Sequence, residues 1–289
     1  MKVLFVVNPV AGGKNHQEIV RDLGEVVKQL HLQAEFLFTG GKNDDEKLTR
    51  AVEKFKPEKV IAGGGDGTVG AVAKNLIQYH LPMGIIPLGS ANGLAKALGL
   101  PSDPREALLK AISTKQVRRM DMLRFNQEHL CIHLADIGVN ALIVKKYKAG
   151  KERGMMGYAK NLLAAIQESP LLHLIIRTPE GITTKEGYMM AFANAHKYGT
   201  GVHISEGSVS DGKFEICNVE KISLDNAIKA GLTILNVFVD QNMFSDVISC
   251  TEAEVEVDQK IHFQVDGEYM GLTDHLKIET VPGCVRLLI

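Results

Sequence analysis

Lys59-Val60-Ile61-Ala62-Gly63-Gly64-Gly65-Asp66-Gly67-Thr68 runs directly into a periodic apolar segment, Val69 to Leu76. A short apolar run, a glycine cluster and a helical repeat spell strand, loop and helix. Glycine permits tight turns and lets a ligand approach backbone amides. The helix that follows opens with unpaired N–H groups at the positive end of its dipole, so the junction is an anion site. Asp66 does not suit a bare phosphate. It calls for a bridging Mg²⁺, a water network or a cationic neighbour, or else it caps a helix starting near Thr68. Three consecutive glycines exceed what a cap requires, which favours nucleotide phosphates.

Two other phosphate loops are excluded. Gly65-x-Gly67-x-x-Gly70 matches the dinucleotide fingerprint formally. That fingerprint opens the first βαβ unit and is followed by an acidic ribose ligand about 20 residues on. Here it follows a later strand, and Ile85-Ile86-Pro87-Leu88-Gly89 brings no carboxylate. The P-loop pattern is missing, because Gly13-Lys14 is followed by Asn15 and position 8 is Asn.

Around this stretch the first hundred residues alternate strand and helix patterns. Strands are expected at Lys2–Val7, Gln33–Phe38, Lys59–Ala62 and Met83–Pro87. Helices are expected at Gln17–Leu30, Asp45–Phe55, Thr68–Tyr79 and about Asn92–Leu98. The alternation implies a parallel sheet with helices on both faces. In such sheets the carboxyl ends of the strands line the ligand crevice. Asn8-Pro9-Val10-Ala11-Gly12-Gly13-Lys14 and Leu88-Gly89-Ser90-Ala91-Asn92-Gly93 emerge there, with Thr39-Gly40-Gly41 as a fourth loop. Asn8 suits a phosphate or a base and Ser90 a phosphate, although each loop alone reads equally well as a simple turn.

After about Asp121 the pattern changes. Strands are expected at Leu130–Leu134, Leu171–Arg177, Tyr188–Ala195, Phe214–Val219, Glu252–Val257 and Lys260–Val265. Pro179-Glu180-Gly181 and Ser210-Asp211-Gly212 are turn signals between them. Helical patterns at Met155–Gln167 and Leu224–Val239 interrupt a domain that is mainly antiparallel β.

The 289 residues are 45% hydrophobic and 23% charged, which excludes wholesale disorder. A net charge of −1 gives no overall field for nucleic acid. Cys131, Cys217, Cys250 and Cys284 form no C-x-x-C pair, so free thiols in a reducing cytosol are expected. No apolar run reaches the roughly 20 residues of a membrane helix, and Asn8-Pro9 interrupts the N-terminal run too soon for a signal peptide. The reading is a cytoplasmic protein, at most peripheral at the inner face of the membrane; it leaves a homodimer open. His129 and His133 share one face of an expected strand and read as structural. Lys145, Lys146, Lys148, Lys151 and Arg153 read first as a solvated face, second as an attractor of anionic headgroups. Met155, Met156, Leu162, Leu163 and Ile166 read as core before acyl pocket.

The order NPVAGGK, GGGDGT and PLGSANGLAKALGLP, continued by Asp121, by Ser208 to Phe214 and by Val265-Asp266-Gly267-Glu268, resembles the diacylglycerol kinase catalytic domain family. That family includes bacterial diacylglycerol and related lipid kinases and the sphingosine kinases. The GGDGT element is shared with NAD kinases; the PLG-S-x-N-x-L-A segment and the late D-G-E point to the lipid side. The resemblance covers essentially the whole chain. It implies an α/β ATP-binding domain over residues 1–121, to which 281–289 returns, and a β-sandwich domain over 122–280 that completes the active site. It implies ATP and Mg²⁺ as cofactors and a lipid at a membrane surface as acceptor. By resemblance, Asn8, Pro9, Val10, Ala11, Gly12, Thr39, Gly63, Gly64, Gly65, Asp66, Gly67, Thr68, Ser90 and Asn92 are nucleotide contacts. Asp266 with Glu268 is the general-base region, and Asp66 belongs to the catalytic set. Asp211, with backbone oxygens near Ser208 and Lys213, resembles a structural metal site.

Phosphoryl transfer to an alcohol needs neutralised phosphates, an aligned hydroxyl and a proton acceptor. The residues implied by the resemblance supply candidates for each need. Without the resemblance, Asp266-Gly267-Glu268 reads first as a hairpin turn. Gly93 stands where the family often carries an acidic residue and Ala11 where serine is common, leaving Asp66 and Asp121 for a magnesium network. An NAD-type or other small-metabolite kinase and a non-catalytic nucleotide-binding module are the rival readings.

Overall fold

The computed structural model describes residues 1–13, 15–40, 43–90, 92–149, 164–194, 197–198, 202–203, 208–220 and 245–289. The chain divides into two units, Met1–Met120 with Gly283–Ile289, and Asp121–Pro282.

In unit 1, strands β1 (Lys2–Val7), β2 (Gln33–Phe38), β3 (Lys59–Gly64) and β4 (Pro82–Pro87) alternate with helices α1 (Gln17–Gln29), α2 (Asp44–Phe55), α3 (Asp66–Leu76), α4 (Gly93–Ala97) and α5 (Pro104–Ser113). Strand order is β2-β1-β3-β4, all parallel. β1 is apolar after its first residue because helices cover a parallel sheet on both faces, and Val3 to Val7 are fully buried. Leu23 and Val26 of α1 and Leu108, Ala111 and Ile112 of α5 pack with Phe5 and Ile61 in one cluster. Strand β3 runs two residues beyond its expected end, through Gly64, and α3 starts at Asp66 rather than Thr68. α3 stops at Leu76, and a 3-10 turn continues it over Ile77–Tyr79. α5 was not anticipated, although its signals are local: Asp103 accepts the Glu106 amide at 2.9 Å and Pro104 opens the helix.

β5 (Val117–Phe125) leads into unit 2. There follow β6 (His129–Cys131), β7 (Leu134–Gly138), helix α6 (Val139–Ala149), β8 (Leu172–Thr178), β9 (Gly181–Gly187) and β10 (Met189–Ala193). The two-residue strands β11 (Lys197–Tyr198) and β12 (Val202–His203), then β13 (Phe214–Val219), β14 (Ser245–Cys250), β15 (Glu252–Val265) and β16 (Glu268–Leu288), complete the chain. Neighbours run β14-β13-β10-β7-β15 and pair antiparallel, and β15 also pairs with the β8–β9 hairpin. Phe125, Phe192, Phe214 and Phe263 centre the unit's core. The last residues of β16 fall in unit 1, where Arg286 and Leu287 pair parallel with Pro82 and Met83 of β4.

Two strand expectations need correction. Leu130–Leu134 is not one strand but the end of β6 and the start of β7, because the amides between them turn to a side chain instead of a ladder. His129 and His133 therefore do not share a strand. Glu252–Val257 and Lys260–Val265 form the single strand β15, with a register shift between Glu256 and Ile261. The expected helix at Leu224–Val239 lies outside the described residues. Of Met155–Gln167, only residues from 164 on are described, and they are helical.

At Gly84 in β4, α5 packs directly against the sheet backbone. A Cβ there would sit 2.5 Å from the Ala111 Cβ and 2.8 Å from the Ile61 Cδ1. Gly84→Ala is therefore expected to cost about 1–3 kcal/mol through overpacking. Urea unfolding checks it, and an unchanged midpoint would contradict this packing.

Candidate functional site

The parallel ladder of unit 1 continues one residue into each loop. Asn8 N–H donates to the Gly63 carbonyl at 2.8 Å, Thr39 N–H to Val7 at 2.9 Å and Leu88 N–H to Gly64 at 2.9 Å. Four loops thus start level at the carboxyl edge. Their backbones touch. A Cβ on Gly89 would lie 2.5 Å from the Gly65 Cα, and one on Gly12, at φ +63°, would lie 3.0 Å from the Ser90 amide nitrogen. Asn92, at φ +51°, folds its amide back onto Gly89, accepting its N–H and donating to its carbonyl at 2.8 Å each. Asp66 caps neither Thr68 nor α3. Its two carboxylate oxygens accept the Gly93 and Leu94 amides at 3.0 Å each, at the start of α4.

The loops after β1, β2 and β3 border a cavity of about 380 Å³, the size of a small-ligand site. Asn8, Ala11, Gly12, Thr39, Gly65, Gly67 and Thr68 of the sequence-predicted contacts line it. Gly63 and Gly64 do not line it; they are buried within β3. Asp66, Ser90 and Asn92 brace the loops from behind, and Pro9 and Val10 are not in the lining either. Gly67 and Thr68 belong to the first turn of α3, which has no side-chain cap. The Thr39 Oγ1 is buried without a hydrogen-bond partner.

Sequence reasoning missed Asp44, Asp45, Leu48, Ala71 and Val72, which line the same cavity, and Gly40 of the Thr39-Gly40-Gly41 loop lines it as expected. Asp44 accepts the Gly40 amide at 2.9 Å and pairs with Lys47 at 3.3 Å. The signal was present in Asp44-Asp45, acidic residues at a helix start, which reads as ordinary dipole complementation.

In unit 2, Asp266 occupies a left-handed turn at φ +49° between β15 and β16. Its carboxylate accepts the Ile132 and His133 amides at 3.0 Å each, the Leu134 amide at 3.3 Å and the Cys131 thiol at 3.3 Å. This is the side chain that splits β6 from β7. Glu268 is exposed and makes no side-chain hydrogen bond or ion pair among the described residues.

The residues expected at a metal are Asp211, Ser208, Lys213 and Asp121. Asp211 closes its own turn, accepting the Ser208 amide at 2.6 Å and the Lys213 amide at 3.0 Å. Asp121 is buried; it accepts the Gly212 amide at 2.7 Å and donates its own N–H to Val209. Ser208 and Lys213 thus turn their N–H groups to the Asp211 carboxylate, and the 208–213 loop is held by its two aspartates. No three His, Cys, Asp or Glu side chains converge among the described residues.

Asp136 was not anticipated at all, since it sits inside an apolar strand. It is fully buried in β7. Asn140 Nδ2 donates to its Oδ2 at 2.6 Å and Gln264 Nε2 at 2.5 Å, while Oδ1 has no hydrogen-bond partner. Burial pushes its carboxyl up to about 7, against the opposing pull of Asn140, Gln264 and the Ala141 amide.

The remaining candidates are structural in placement. Cys131, Cys217 and Cys250 are buried and Cys284 is half-buried, all outside disulfides. Lys146 pairs with Glu168 at 2.7 Å, and Lys145 lies 5.6 Å over the Tyr269 ring. The Lys148 side chain, Lys151, Arg153, Met155, Met156, Leu162 and Leu163 lie outside the described residues, and Ile166 is half-buried.

Comparison with known proteins assigns the two halves separately. Residues 2–125 match the diacylglycerol kinase catalytic domain, and residues 134–289 match the YegS C-terminal NAD kinase beta sandwich-like domain. A probable lipid kinase YegS-like of Chromohalobacter salexigens is 29% identical over 265 residues, covering 89% of this chain and 83% of the relative. One from Pectobacterium atrosepticum is 26% identical over 295 residues, covering 98% and 94%. A crystal structure of a diacylglycerol kinase from Bacillus anthracis superposes with TM-score 0.69 at 19% identity, over 99% of this chain and 96% of its own, which shows a shared fold.

Asp66→Ala leaves two amides without their acceptor and is expected to cost about 1–3 kcal/mol. A denaturation midpoint equal to wild type would contradict the bracing role. Asp136 gives a pH signature. A carboxyl whose folded pKa is raised contributes stability that is full below its unfolded value and lost as pH rises through the folded one. The melting temperature of Asp136→Asn relative to wild type should therefore climb between about pH 4 and pH 7 and level off above. A difference independent of pH would show that Asp136 does not titrate there.

Proposed function

The chain belongs to the diacylglycerol kinase catalytic-domain family with a YegS-type C-terminal domain, and on that premise we propose that it is an ATP-dependent kinase phosphorylating a hydroxyl of diacylglycerol or of a related lipid or long-chain base. The observation that carries the reading is the cavity at the carboxyl edge of unit 1. One side offers uncapped amides at the start of α3, with Gly12 and Gly65 leaving the backbone bare. From α2, the lining also takes Asp44, Asp45 and Leu48. Carboxylates repel phosphate, so the phosphates belong at the Gly65–Thr68 end and the nucleoside toward α2. Thr39 Oγ1 is a buried hydroxyl that a nucleotide would satisfy. Mg²⁺, on this reading, enters with the ATP phosphates.

By the family resemblance, the proton acceptor is a carboxylate of the Asp266–Glu268 turn. In the transfer, the lipid hydroxyl oxygen bonds to the γ-phosphorus, the bond from that phosphorus to the ADP oxygen breaks, and the hydroxyl proton passes to a carboxylate. Asp266 and Glu268 divide the work. Asp266 is committed to three amides and a thiol and holds the turn. Glu268 is exposed two residues on, and is the carboxylate free to take the proton. The relatives' names support a lipid acceptor. No helix among the described residues is long and apolar enough to cross a membrane, so such a lipid would be met at the membrane surface.

Purified protein given labelled ATP and diacylglycerol in mixed micelles is expected to place label in the organic phase. Glu268→Gln should lower kcat about 100-fold or more while leaving the KM for ATP unchanged. Label appearing only on a water-soluble acceptor would replace the lipid by a small metabolite. Full turnover by Glu268→Gln would remove that residue from the proton step.

A further inference from the structure

Behind the Asp266–Glu268 turn lies a buried polar chain with no direct part in phosphoryl transfer. Asp136 in β7 stands opposite Gln264 in the β7–β15 ladder, and both are buried. Gln264 uses both ends of its amide. Its Nε2 donates to Asp136 Oδ2, and its Oε1 accepts the Gly267 N–H at 2.7 Å. Gly267 is the residue between Asp266 and Glu268.

We propose that Asp136 is a positioning residue for the Asp266–Glu268 turn, setting through Gln264 the placement of the carboxylate that takes the substrate proton; this rests on the kinase reading above. The argument is one of donor and acceptor polarity. A side-chain amide has a donating end and an accepting end, and either can face a given neighbour. Above a pH of about 7, where Asp136 is ionised, its carboxylate accepts only. Facing Asp136, Gln264 must present its NH₂, so its carbonyl is left aimed at Gly267. Asn140, in the first turn of α6, donates to the same Oδ2 and fixes the carboxylate in turn. A second tie acts beyond the turn: His262 Nδ1 and the Tyr269 hydroxyl hydrogen-bond at 2.8 Å, and Lys145 of α6 lies over the Tyr269 ring. The backbone is thus held at Gly267 and at Tyr269, on either side of Glu268.

Burying a carboxylate is costly, and an apolar residue in β7 would favour stability. A carboxylate kept there at such a cost, with one oxygen left unpartnered, points to a positional task. The side chains of Asp136 and Gln264 form a single relay, so their effects must not multiply.

The test is a double-mutant cycle of Asp136→Asn and Gln264→Met in the full chain. In Asp136→Asn the new amide can donate as well as accept, which frees Gln264 to turn over. Gln264→Met keeps the side-chain length and removes both bonds. Each variant is expected to lower kcat about 10- to 100-fold with the KM for ATP unchanged, and the double variant should be no slower than the worse single one. Multiplying effects, or full activity in either single variant, would overturn the relay. Amide exchange of a peptide spanning residues 264–269 supplies a readout independent of turnover. Faster exchange there in both variants, with β10 and β13 still protected, supports the relay even if wild type transfers no phosphate, an outcome that would sink only the kinase reading. Unchanged exchange would overturn the proposal. Gln264→Met decides the matter alone if Asp136→Asn does not fold.

Discussion

Two amides at the start of α4 and one carboxylate at the start of α3 fix the geometry on which the cavity depends. The Asp66 oxygens hold Gly93 and Leu94 at 3.0 Å each. That tie draws the fourth strand's loop onto the third's, where Gly65 and Gly89 meet backbone to backbone. Gly12 then closes over Ser90. Glycine is required at these meetings because no side chain fits between the loops, whereas Gly63 and Gly64 lie inside a strand. Gly12, Gly40, Gly65 and Gly67 therefore leave part of the cavity wall as bare backbone, which suits an anion on a helix N-terminus.

The second unit solves a similar problem with carboxylates that accept from backbone amides. Asp266 gathers the amides of Ile132 to Leu134, and Asp121 and Asp211 together hold the 208–213 loop. Each forces irregular backbone into one conformation by satisfying N–H groups that no ladder reaches. The family's metal expectation at Asp211 meets a loop that already closes on itself. Asp136 differs, because side chains supply its hydrogen-bonding partners and its cost is not fully offset.

The parallel α/β order of unit 1 was legible because it rests on local pattern. Apolar runs, glycine junctions and the 3.6-residue repeat all lie within short windows. α5 carried the same kind of signal in Asp103-Pro104-Arg105-Glu106, and its absence from the reading was an oversight of local chemistry rather than a limit of it. The partners of Asp66 were not legible, since Gly93 and Leu94 lie 27 and 28 residues on. Nor was the split at Ile132, caused by a side chain 134 residues away. Asp44 and Asp45 read as helix-start residues, and only the register of β1 with β2 brings them to the cavity. Asp136 was invisible because a single acid in an apolar strand has no local signature.

A crystal structure with a non-hydrolysable ATP analogue tests the central claim most directly. The account predicts its phosphates on the Gly67 and Thr68 amides, Thr39 Oγ1 bonded to the nucleotide, and the nucleoside toward Leu48 and Val72. A nucleotide bound elsewhere, or a cavity still empty at saturating analogue, would contradict it.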